Sequence, residues 1–124
     1  MWAAYSATAP GMDEISTLSV SAVNEKLNSF WKSSYNGIFL ANTVLTNIDV
    51  PKDYSGSQKD QYTGEAKFMR ALYYFDLVRV FGGVPLITSV VTADEARNIP
   101  RATEQQIYSL ITEDLQDAVS KLPQ

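Results

Sequence analysis

Seven apolar residues, Leu27, Trp31, Tyr35, Ile38, Ala41, Leu45 and Ile48, recur at spacings of 4, 4, 3, 3, 4 and 3. That rhythm lays one apolar stripe along an α-helix and predicts a helix over about residues 21–49. Val50-Pro51 ends it, because the residue before a proline avoids helical dihedrals. Upstream, residues 1–20 mix small, polar and aromatic side chains around Pro10-Gly11 without a sustained period, and they read as mostly loop. A second helix is predicted over about 57–81. Its stretch from Phe68 to Phe81 is charged only at Arg70, Asp76 and Arg79. A helix apolar nearly all round needs cover on several sides.

Gly82-Gly83 supplies a helix stop, and Val84-Pro85-Leu86-Ile87 continues as an extended segment. Residues 88–102 read as loop with a short helical turn at 93–97. Thr103 with Gln106 forms a capping box, and Glu104 sits well for the helix dipole. Ile107, Ile111, Leu115, Ala118 and Leu122 then define a third helix over about 103–122, closed by Lys121 and Pro123. Nothing reads as a strand. The predicted class is all-α, with residues 1–124 as one partial helical domain. Two neighbouring helices cover two sides of the second helix, and a third side needs a helix this sequence does not contain. The pattern thus predicts a fragment of a larger helical protein, with an apolar patch that favours self-association. The abrupt aromatic start, Met1-Trp2-Ala3-Ala4-Tyr5, fits a chain cut from a longer one.

Charge and composition narrow the chemistry. Fourteen acidic and ten basic side chains give a net charge of −4. No basic stripe is available to neutralise nucleic-acid phosphates. The sequence contains no cysteine and no histidine. Thiol nucleophiles, Ser-His-Asp triads and ordinary zinc sites are therefore excluded within these residues. No catalytic residue, metal site or cofactor is predicted, and no run approaches a signal peptide or a membrane span.

Three polar residues lie where apolar ones are expected. Arg70 has no carboxylate three or four positions away, and Asp114 falls among the apolar positions of the third helix. We expect them to pair, mostly desolvated, and to dock the two helices; binding of an anionic ligand by Arg70 is the functional alternative. Asn42 lies in the middle of the first stripe and must find partners, expected to be backbone groups of the next element. Trp31, Tyr35, Tyr73, Tyr74 and Phe75 fall at helical spacing and read as core. Trp2, Tyr5 and Tyr54 fall in predicted loops and are the candidates for stacking on a sugar. Glu65 and Asp76 share a helix face but stand eleven residues, or roughly 16 Å, apart, too far for a glycosidase pair.

Three blocks carry a resemblance to a known family. They are WKSSYNGIFLANTVL from Trp31 to Leu45, GEAKFMRALYYFDLVRVFGGVPL from Gly64 to Leu86, and Arg101-Ala102-Thr103 followed by Ile111-x-x-Asp114-Leu115 and Leu122-Pro123. In this order they resemble the SusD/RagB family of outer-membrane nutrient-binding lipoproteins. Only Met69 departs from the pattern, where leucine is commoner. The resemblance implies an N-terminal part built of tetratricopeptide-like helical hairpins and a loop-rich C-terminal part that carries many of the ligand contacts. It implies capture of a glycan, of starch type, at the cell surface and delivery to a SusC-like TonB-dependent transporter, without catalysis. A lipidated cysteine, absent from these residues, would tether the full-length protein to the outer membrane. The strict tetratricopeptide consensus and a 34-residue repeat are not visible in the sequence. The competing reading is a free-standing tetratricopeptide-like protein–protein adaptor, which leaves the second helix uncovered.

Overall fold

The computed structural model describes the backbone of residues 13–123 and the side chains from residue 23 onward. It is all-α among these residues: α1 (Asp13–Thr46), α2 (Gln58–Phe81), the short α3 (Ala93–Arg97) and α4 (Glu104–Lys121). The chain divides into two compact units, residues 1–33 and 34–124. The first holds the N-terminal turns of α1, with Val23 exposed and Trp31 half-buried. The second holds everything described below.

α1 begins at Asp13, about two turns before the expected start near residue 21. The reason lies in the backbone: between Gly11 and Gly37 there is neither glycine nor proline, so nothing interrupts helix propagation even where the apolar period is poor. Thr103 caps α4 as anticipated from its spacing to Gln106. Its hydroxyl accepts from the Gln106 N–H, and the Gln106 side chain accepts from the Thr103 N–H. Thr92 and Glu95 build the same box at the start of α3.

α2 packs along α4, and the core between them is made of Ala71, Leu77, Val78, Ile107, Ile111 and Ala118. Gly82 ends α2 at φ 72°, and its N–H bonds to the Val78 carbonyl. That is a conformation in which a Cβ is strained. At Gly83 the constraint is steric, since a Cβ there would lie 2.3 Å from the backbone oxygen of Ala102. This close approach lets the extended segment after α2 bridge to the entry of α4: Pro85 pairs with Arg101, and the Ala102 N–H donates to the Val84 carbonyl at 2.9 Å.

Candidate functional site

Two faces of α2 bear on function, one closed by polar groups and one open. On the closed face the Arg70 guanidinium, 6% exposed, grips the Asp114 carboxylate, 3% exposed. Nε donates to Oδ2 at 2.7 Å and Nη2 to Oδ1 at 2.8 Å. The third fork position, Nη1, donates to Asn42 Oδ1 at 2.9 Å. Asn42 Nδ2 in turn donates to the Ile87 carbonyl at 3.0 Å and reaches the Ser89 carbonyl at 3.5 Å. Arginine suits this role because two of its five planar donors match a carboxylate in bidentate fashion and leave Nη1 for a neighbour. Asn42 thus meets a side chain as well as the backbone groups expected for it.

Two tyrosines hold the same extended segment. The fully buried Tyr74 hydroxyl accepts from the Ile87 N–H at 2.6 Å and donates to its carbonyl at 3.1 Å. Tyr35 donates to the Pro85 carbonyl at 2.6 Å, and its ring meets Tyr74 edge-on with centroids 6.2 Å apart. Burial pushes the Tyr74 phenol up to about 12, and it raises Tyr35 well above the usual phenol range, helped by the Tyr74 neighbour. Among the described residues no buried side-chain nitrogen or oxygen lacks a hydrogen bond. Nearby, Asp117 accepts from Lys67 and Lys121, both at 2.6 Å. The hydrogen bond from Lys121, then that from Lys67, holds its carboxyl below the usual carboxylate range.

The open face is a groove of about 540 Å³ between the C-terminal part of α1 and α2. Leu40, Ala41, Val44 and Ile48 line one wall, and Tyr62, Ala66, Met69 and Tyr73 the other. Gly37 shapes one end: a Cβ there would sit 2.2 Å from the Tyr73 ring, so only glycine admits that ring. The other end holds Tyr54 and Tyr62, with ring centroids 6.1 Å apart and tilted by 55°. The Tyr54 hydroxyl donates to the Ile48 carbonyl at 2.9 Å, which braces the ring. The polar groups beside the groove are engaged locally. Asn47 Nδ2 donates to the Thr43 carbonyl at 2.9 Å, and Glu65 Oε1 accepts from Gln61 Nε2 at 3.1 Å.

Of the stacking candidates, Tyr54 lies at the groove, while Trp2 and Tyr5 fall outside the described residues. Phe75, expected in the core, is exposed instead, with the Arg79 guanidinium 4.4 Å from its ring centre. It shares an exposed face of α2 with Phe68 and Leu72, and Arg79 covers its ring. Tyr62 escaped the sequence reading because it lies on α2, whereas the stacking candidates were the aromatics of predicted loops. Among the described residues no group of three or more acidic side chains is placed to hold a metal, and no helix is long and apolar enough to cross a membrane. The arrangement can bind by packing and stacking.

A SusD-like family model described as "Starch-binding associating with outer membrane" matches residues 3–124. A SusD-like protein of Formosa agariphila is 33% identical over 99 residues, which make up 80% of this chain and 19% of that protein. A SusD-like carbohydrate binding protein from Bacteroides fragilis superposes with a TM-score of 0.73 at 30% identity, covering 79% of this chain and 19% of that one. A laminarin-binding SusD-like protein superposes with a TM-score of 0.70 at 44% identity, over 77% of this chain and 20% of that one. The chain therefore spans about a fifth of the length of these relatives.

Proposed function

The chain belongs to the SusD-like family, a family of binding proteins and not of enzymes, and we propose that it forms the N-terminal helical part of a longer protein that captures a glycan at the outer-membrane surface. In this reading the α1–α2 pair is a tetratricopeptide-like hairpin, and α4 opens the next pair. The longer protein is lipid-anchored and passes its ligand to a SusC-like TonB-dependent transporter. The ligand class is a glucan, of starch or laminarin type. The observation that carries the reading is the family match over residues 3–124, supported by 44% identity to a laminarin-binding protein. Trp2, Tyr5 and Tyr54 are the stacking candidates within this stretch, whereas Asn42, Arg70 and Asp114 serve the scaffold.

The test is calorimetric titration of the full polypeptide with starch and laminarin oligosaccharides, alongside co-purification from outer membranes. Saturable binding of one glucan together with capture of a TonB-dependent transporter supports the reading. A full polypeptide that binds neither glucan, or a native product that is soluble and of this chain's own size, overturns it in favour of the adaptor.

A further inference from the structure

The extended segment after α2 is gripped by side chains from two helices, and each grip is on its backbone. Tyr35 and Asn42 reach it from α1, and Tyr74 reaches it from α2. Ile87 is the focus: its N–H donates to the Tyr74 hydroxyl, and its carbonyl accepts from both Tyr74 and Asn42. The chain then runs into Ser89 and Val90, which are exposed.

Asn42 links this segment to the ion pair between α2 and α4. The two ends of an amide have nearly the same shape, so the neighbours decide which end faces which way. Arg70 can only donate, and its Nη1 therefore claims the Asn42 oxygen. That leaves Nδ2 for the carbonyls of Ile87 and Ser89. A reversed amide would set N–H against guanidinium and oxygen against carbonyl. Nη1 in turn stands beside Asn42 because Asp114 takes Nε and Nη2. Carboxylate, guanidinium, amide and peptide carbonyl thus form one run of donors and acceptors across four elements. Asn42, Arg70 and Asp114 are all buried, so water does not stand in for a missing member.

We propose that this run is a latch: docking of α4 through Asp114 sets the Asn42 amide, and the amide closes the segment after α2 onto α1. Asp114 and Asn42 are then positioning residues for the exposed turn at Ser89 and Val90. The inference is independent of which ligand the protein takes. A second contact between α2 and α4, from Lys67 to Asp117, does not touch Asn42 and supplies the control.

The experiment is hydrogen exchange read by mass spectrometry on the full polypeptide. It compares a peptide of residues 83–91, which contains the bonded Ile87 amide, with peptides from α4. Asn42→Asp keeps an oxygen toward Arg70 and removes the donor to the segment. The Ile87 amide should exchange at least about tenfold faster in this variant, with α4 unchanged. Asp114→Asn should accelerate it as well, because Arg70 loses the charge that holds it in place, whereas Lys67→Met should leave it at the parent rate. An unchanged Ile87 rate in either Asn42→Asp or Asp114→Asn overturns the latch. Equal acceleration in Lys67→Met and Asp114→Asn also overturns it, since the segment would then report any loosening of α4. Should Asp114→Asn not fold, Asp114→Glu shifts the same charge by one methylene and is read in the same way.

Discussion

Where α2 meets α4, Asn42 of α1 and the segment after α2, the residues Arg70, Asp114, Asn42 and Tyr74 bury their polar atoms and bond every one of them. Where α2 faces the far side of α1, Leu40, Val44, Tyr62 and Met69 leave apolar surface in water. The first face is closed because its polar groups are buried and each has a partner within the protein. The second has nothing to satisfy and can accept any apolar surface of the right shape. Burial of charge thus fixes one docking geometry, while the uncovered apolar face keeps a place for something that packs.

The largest effect is expected from breaking the closed face. Arg70→Met strands the Asp114 carboxylate and removes the donor to Asn42 Oδ1, and we expect a loss of about 3–5 kcal/mol in denaturant unfolding. Arg70→Met combined with Asp114→Leu should recover most of this, short of the cost of the unpaired Asn42 oxygen, about 1–3 kcal/mol. If the two changes simply add, the pair does not hold the helices together.

Next comes Gly83→Ala. The new Cβ meets a backbone oxygen at 2.3 Å and must push the α4 entry away. A loss of about 2 kcal/mol is expected by thermal or chemical melting, typical of overpacking. An unchanged midpoint would show that the bridge from Pro85 to Arg101 is easily displaced.

A smaller effect follows from Asp117. Its folded pKa lies below the ordinary 3.8 because Lys121 and Lys67 favour the charged form. Its contribution is therefore fully present above 3.8 and lost as the pH falls through the lower folded value. Asp117→Asn should lower the midpoint slightly at pH 6, with a smaller difference at pH 3, because two partly exposed lysines share the carboxylate and the pairing is weak. Unfolding midpoints of both proteins at pH 6 and pH 3 check this.

The smallest effect belongs to the open face. Leu40→Lys should change the stability of the isolated 124 residues by no more than about 0.5 kcal/mol, because the side chain is already in water. We expect the isolated residues to self-associate through this face, and Leu40→Lys to reduce that association in light scattering. A large loss of stability in the isolated chain would mean that the groove is closed there.

The parts of the fold and site legible in the sequence are those whose cause is local or periodic. The apolar stripe of α1 from Leu27 onward, the Thr103–Gln106 box and the glycine stop after α2 each depend on residues a few positions apart. Arg70 and Asp114 were legible as a pair for a different reason: each is a charge at a position that the helical period assigns to the interior. The extended start of α1 at Asp13 was not, because there the backbone carries the helix where the apolar rhythm fails.

By itself, then, the sequence determined that the chain is helical, where α2 and α4 lie, which polar residues must be satisfied inside, and that α2 has more apolar surface than two neighbours can cover. Only the tertiary structure decided that the third donor of Arg70 goes to Asn42, that Tyr74 both gives to and takes from Ile87, and that Gly37 yields its space to the Tyr73 ring. It also decided that part of the uncovered surface forms a groove along α1, while Phe68, Leu72 and Phe75 stay exposed on another face of α2. The physical reason is distance along the chain. Helix period, caps and breakers act over a few residues, whereas hydrogen-bond partners 28 or 44 residues apart are chosen only when whole helices find the one packing that leaves no buried polar group alone.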